Sequence, residues 1–124
     1  MVGNQTQFKE VGMIIESVGI VAPGNRREEL RRALAALVEP TQVEPGCVAC
    51  QLYQETANAS AFRFESQWKT QDDLIRRMRS EVYRSLLALM ELSVEPPEIA
   101  FHMVTGTQGL EFVQAVRERR AERE

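Results

Sequence analysis

Between residues 61 and 90 the spacing of apolar side chains changes once, and that change limits the possible folds more than any other stretch. Residues 61–68 alternate: Phe62, Phe64 and Trp68 fall on one side, with Arg63, Glu65 and Gln67 on the other. That is the pattern of a strand whose two faces meet different surroundings. From Thr70 the spacing turns helical, with Leu74 and Met78 one turn apart, then Tyr83, Leu86, Leu87 and Met90. Thr70 with Asp73 reads as a capping-box-like start, and Ser80 as the cap of a second helical segment after a break. A strand that ends in tryptophan and runs into a helix is a candidate pocket wall.

The flanking chain supplies the remaining elements. Residues 1–8 read as a loose leader. Residues 11–21 are rich in β-branched side chains and read as a first strand. Pro23-Gly24 turns the chain, and Asn25 with Glu28 suggests a helix cap. Leu30, Ala33, Leu34 and Leu37 then form one apolar stripe, and Pro40 is expected to stop that helix. Pro45-Gly46 leads into a second strand at 47–55, which a polar turn joins to the strand at 61–68. Pro96-Pro97 closes the helical run. Residues 98–105 read as a fourth strand, and Leu110, Val113 and Val116 mark a final helix to about residue 119. The order β-α-β-β-α-β plus a C-terminal helix is the α+β ferredoxin-like arrangement. One domain spans 1–124, with its core at 11–105 and the last helix at about 108–120.

Both parities of strands one, two and four carry apolar residues, such as Met13 and Ile15 against Ile14 and Val18. Such a sheet expects cover on both faces, and short helices can supply only one. A homodimer through sheet-to-sheet packing is the economical answer.

Charge narrows the function classes. The net charge is −3, and the fifteen cations, all but two of them arginine, are interleaved with glutamates. This is the signature of solvated helix faces and not of a one-sided nucleic-acid footprint. No apolar run approaches the length of a membrane span, and the N-terminus lacks the pattern of a signal peptide, so a cytoplasmic location is expected. Cys47 and Cys50 form a Cys-x-x-Cys within a strand, where i and i+3 are expected on opposite faces. Both read as buried, reduced thiols, and with one histidine in the chain no metal site is expected. Phosphate-binding loops and nucleophile elbows are absent from the sequence.

Glu44-Pro45-Gly46-Cys47, Leu52-Tyr53-Gln54, the strand ending in Trp68 before Gln71-Asp72-Asp73-Leu74, and Ser80 with Tyr83 together resemble the antibiotic biosynthesis monooxygenase family over residues 11–105. The resemblance implies a dimeric α/β barrel in which two ferredoxin-like sheets face one another. It also implies activities that include cofactor-free oxygenation of polyketide quinol-type substrates, quinol oxygenation and haem degradation. Three departures bear on activity. Arg77 stands where many members have a helix histidine. No asparagine lies in the first strand, so of the haem-degrading set only Trp68 remains. Ser66 occupies the place of an acid two before the tryptophan, with Glu65 preceding it.

Candidate site residues follow. His102, the only histidine, is the one side chain that titrates near neutral pH unshifted, and it or Glu65 would assist deprotonation. Arg77 would stabilise an enolate or peroxide-like anion. Phe62, Phe64, Trp68, Tyr83 and Phe101 would wall the pocket for a small aromatic ligand, with no cofactor required. Each has a plainer reading: Trp68 as a packing anchor, Arg77 as a solvated arginine, His102 as an ordinary strand residue, Tyr83 as helix core. Glu16, mid-strand among Ile14, Ile15 and Val18, needs a partner such as Arg63 if its face is buried. Two functions remain: a cofactor-independent monooxygenase acting on a small aromatic or quinol-type substrate, and a non-catalytic dimer binding a ligand or partner through the same cavity.

Overall fold

The computed structural model describes residues 12–123, with side chains described as far as Arg119. The elements are β1 (Met13–Val21), α1 (Arg27–Ala35), α2 (Val38–Gln42), β2 (Cys47–Gln54), β3 (Ala61–Trp68), α3 (Gln71–Met78), α4 (Glu81–Met90), β4 (Glu98–Val104) and α5 (Leu110–Arg123). The strands form one open sheet in the order β2-β3-β1-β4, every neighbouring pair antiparallel. This is the ferredoxin-like α+β fold; the sheet does not close on itself. The leader and Val11 lie outside the described residues.

Strand parity sorts the side chains between two faces. In β1, Ile14, Glu16, Val18 and Ile20 point toward the helices, and in β3 Phe62, Phe64, Ser66 and Trp68 join them across the register Val18↔Phe64 and Ile14↔Trp68. Leu30 and Leu34 from α1 and Tyr83 and Leu86 from α4 close this layer. A second cluster, Ile14, Trp68 and Leu74, continues it. Each fully buried large apolar side chain contributes about 1.5–3 kcal/mol, so the helix-side layer carries most of the stability. The opposite face is open and mixed. Ile15, Met13 and Val104 lie at one end, and Ser17, Arg63, Glu65, Gln67 and His102 occupy its middle. There Arg63 donates to Ser17 Oγ at 2.8 Å and reaches Glu98 at 3.6 Å.

The helix starts at Thr70 and Ser80 are as expected. Asp73 N donates to Thr70 Oγ1 at 3.1 Å, and Tyr83 N donates to Ser80 Oγ at 3.1 Å. Other local expectations are corrected. Arg26, not Asn25, stands at the cap position of α1, and no side chain caps it. Pro40 does not stop a helix; it lies inside α2, within the first turn, where its missing N–H has no intrahelical partner to lose. Met78 is half exposed, and Arg77 takes the buried place beside Leu74.

The two cysteines are also corrected. A β-bulge between Cys47 and Ala49 leaves Val48 unpaired, so Cys47 faces Trp68 and Cys50 faces Ser66 on the same, helix-side face. Both thiols are free, Cys50 buried and Cys47 half-buried. Burial pushes the Cys50 thiol up to about 12, and it also raises Cys47.

Candidate active site

At the centre of the helix-side layer sits a carboxylate. Glu16 is 1% exposed, with Ser66 opposite it on β3 and Phe101 opposite it on β4. An isolated carboxylate there would be too costly to keep charged, so its partners must arrive from elsewhere in the fold. They come from both sides of the break between α3 and α4. Arg77 Nε donates to Glu16 Oε1 at 2.9 Å, and Tyr83 Oη donates to Glu16 Oε2 at 2.6 Å. Ser66 Oγ donates to Glu16 Oε1 at 3.3 Å and accepts from Trp68 Nε1 at 2.8 Å. Arg77 Nη1 reaches Glu44 Oε2 at 3.4 Å.

The guanidinium also lies over two rings, 5.3 Å from the Trp68 centroid and 4.9 Å from that of Tyr83. Cation–π attraction at those distances adds to the ion pair, the more so in a desolvated place. Arg77 Nη2 is buried and has no hydrogen-bond partner among the described residues. Ser80 locks the arrangement, because its hydroxyl donates to the Arg77 carbonyl at 2.7 Å while accepting from the Tyr83 amide. One serine thus sets the relation of the two side chains that hold Glu16.

Electrostatics follow from burial. The Tyr83 hydroxyl is raised well above its ordinary value, first by desolvation and then by its bond to Glu16. Glu44 is also raised, burial outweighing the attraction of Arg77. The set therefore combines an acceptor (Glu16), a proton held on a phenol (Tyr83), a fixed cation (Arg77) and two flanking rings. Chemically it can take a proton at Glu16 and stabilise a nearby oxyanion at Arg77.

The sequence-derived site residues divide between the two faces. Arg77, Trp68, Tyr83, Phe62, Phe64 and Phe101 are on the helix side, while His102 and Glu65 lie on the open face. His102 is opposite Ile15, and Glu65 accepts from Ser17 Oγ at 3.4 Å. One cavity within a single chain cannot be lined by both groups. Phe62, Phe64 and Trp68 are packed into the core, each at most 3% exposed, and Phe101 packs beside Ile14 and Trp68. Arg77 is not a solvated arginine: it is 1% exposed. Glu16 pairs with Arg77 and not with Arg63, because Arg63 has the opposite parity in β3. Two ligand-sized depressions lie elsewhere, one of about 250 Å³ beside Phe62, Arg63 and Glu98, and one of about 430 Å³ on the outer side of α3 and α4.

Sequence reasoning did not give Glu16 a role in the site. The available signal was parity: an acid on the buried side of β1, and an arginine three residues after Leu74 on the same face of α3.

The open antiparallel sheet with its helices on one face is the ferredoxin-like architecture, and in this chain the helices hold a buried carboxylate between an arginine and a tyrosine. The sequence profile of the antibiotic biosynthesis monooxygenase family matches residues 13–89, and the chain belongs to that family. An uncharacterised protein of Synechocystis is 22% identical over 98 residues, 78% of this chain and 67% of the relative. A candidate antibiotic biosynthesis monooxygenase from Deinococcus radiodurans superposes with a TM-score of 0.70 at 18% identity, over 77% of this chain and 96% of its own. A Mycobacterium tuberculosis protein gives 0.70 at 18% identity, over 78% and 99%. A Pseudomonas aeruginosa protein gives 0.68 at 24%, over 77% and 96%. At these identities the superpositions establish the fold.

Proposed function

We propose that the chain is a cofactor-independent, monooxygenase-like oxidoreductase acting on a small aromatic or quinol-type substrate. The observation that carries this reading is the cation Arg77, fixed by Glu16 between the rings of Trp68 and Tyr83. In the proposed reaction the packed layer over Glu16 first opens to admit the substrate; an activated CH₂ beside a ring carbonyl then loses a proton to Glu16, and Arg77 stabilises the resulting enolate oxygen. The carbanion adds O₂, and the peroxide takes a proton back from the Glu16–Tyr83 pair. Loss of water then leaves a carbonyl, so one oxygen atom enters the product and the other leaves as water. The electrons come from the substrate's own C–H bonds.

His102 and Glu65 contribute only if a second sheet closes over the open face. A homodimer through sheet-to-sheet packing would supply it, since Met13, Ile15 and Val104 give that face an apolar end. Oxygen uptake with a panel of anthrones and quinols tests the proposal. Wild type is expected to consume oxygen, and Glu16→Gln, with its fold checked by circular dichroism, to lose roughly 100-fold or more, the usual range for a general base.

A second reading is supported by the complete burial of Trp68 and Arg77. In it, the network is structural and the protein is a non-catalytic dimer that binds a small ligand or a partner. No oxygen uptake across the panel, with the buried set intact, would favour that reading.

A further inference from the structure

Arg77 carries more hydrogen-bonding capacity than the described residues use. A guanidinium is a planar fork of N–H donors, and here Nε is taken by Glu16 and Nη1 by Glu44. Nη2 is buried and has no partner among the described residues. A buried donor left unmet is costly, and so calls for an acceptor. The guanidinium lies over the Trp68 and Tyr83 rings, so that acceptor has to come in at the edge of the fork. Charge decides which acceptor suits it. Nη2 shares one edge with Nε and the other with Nη1, so an incoming oxygen stands within about 4–6 Å of a carboxylate on either side, where like charges repel. Two carboxylates already share this one cation, and they sense each other. Burial is the first cause that raises Glu44, and the charge of Glu16 raises it further. A third anion would join a set whose sum is already negative, whereas a neutral carbonyl would not.

We propose that Arg77 Nη2 binds an uncharged ring carbonyl, and that Glu44, by sharing the same guanidinium, makes the site reject carboxylates. This deepens the oxidoreductase reading above and rests on it, including the opening of the packed layer. A carbonyl on Nη2 sets its oxygen against the same cation that holds Glu16. When the adjacent CH₂ gives its proton to Glu16, the C–H electron pair becomes that of the enolate. Glu16 turns neutral as the oxygen turns negative. The negative charge thus moves from the Nε side to the Nη2 side of one guanidinium, and the total around Arg77 is unchanged. A carboxylate ligand has no such exchange to offer. Position suits Glu44 to the selecting role. Its side chain is 16% exposed against 0% for Arg77 and 1% for Glu16, so it stands on the solvent side of the pair.

Isothermal titration of the full chain at pH 8 with acetophenone and with benzoate, which share a ring and differ in charge, tests the proposal. Wild type is expected to bind acetophenone roughly tenfold or more tightly than benzoate. Glu44→Gln, its fold confirmed by circular dichroism, is expected to gain about tenfold for benzoate and to change little for acetophenone. Benzoate bound as tightly as acetophenone by wild type, or no gain for benzoate in Glu44→Gln, overturns the proposal. Binding of neither probe also overturns it, leaving Nη2 to water alone. The preference is read apart from turnover. Oxygen uptake by a protein that shows no preference would keep the oxidoreductase reading and remove only this site; the preference without oxygen uptake would remove the catalysis and keep the site.

Discussion

Burying Arg77 and Glu16 together is worth little by itself, since their attraction mainly offsets the cost of removing both from water. Separating them is what costs. Arg77→Leu should destabilise the fold by about 3–5 kcal/mol in urea unfolding, because Glu16 keeps only two hydroxyl donors. The Glu16→Gln/Arg77→Leu pair should cost clearly less than the sum of the two single changes; strict additivity would argue against the coupling. The raised thiol and phenol give a pH signature. Cys50 and Tyr83 bind their protons more tightly folded than unfolded. Their contribution is whole below the unfolded values of 9.0 and 10.0 and is lost as pH rises past them. Stability should therefore fall from pH 9 upward, and Tyr83→Phe should flatten the upper part of that fall in urea titrations. At this scale Glu16 was legible as a buried acid in need of a partner. The partner was not, because arginine spacing alone does not distinguish a helix's buried row from its solvated one, and the run of residues 76–79 resembles the latter.

Elements were the most legible level, for a local reason. The switch from period two to helical spacing places β3 at residues 61–68, and Thr70 and Ser80 declare their helices through bonds that span only three residues. What failed also depended on short-range detail. The Cys47–Ala49 bulge turns two thiols to one face, and nothing in Cys-Val-Ala-Cys announces the extra residue. Removing the Ser80 hydroxyl, as in Ser80→Ala, should cost about 1–2 kcal/mol in thermal or urea unfolding and should loosen Arg77 as well. An effect under a few tenths would mean that the cap is dispensable. Gly46 has φ 83°, and a Cβ there would run into the Asp73 side chain. Gly46→Ala is accordingly expected to lower Tm, whereas the same change at Gly24, which faces open space, is not.

At the scale of the whole molecule, β-α-β-β-α-β order was readable because parity and turn residues repeat along the chain, and family membership followed from the same positions. The site was less readable, since it joins residues 16, 44, 66, 68, 77 and 83, which only the antiparallel register and the α3–α4 break bring together. That break divides the site's anchoring unequally. Glu16, Ser66 and Trp68 belong to the two central strands and are held by ladders on either side. Arg77 and Tyr83 sit on opposite arms of an elbow pinned at Ser80, whose amide and hydroxyl both donate to the Arg77 carbonyl and whose hydroxyl accepts from the Tyr83 amide. With ladders on both sides of the central strands, any opening of the interior is expected along that elbow and not across the sheet. The buried carboxylate therefore has a laddered floor and a jointed roof, and substitutions that loosen its cover belong at the joint, several residues from the charge it shelters.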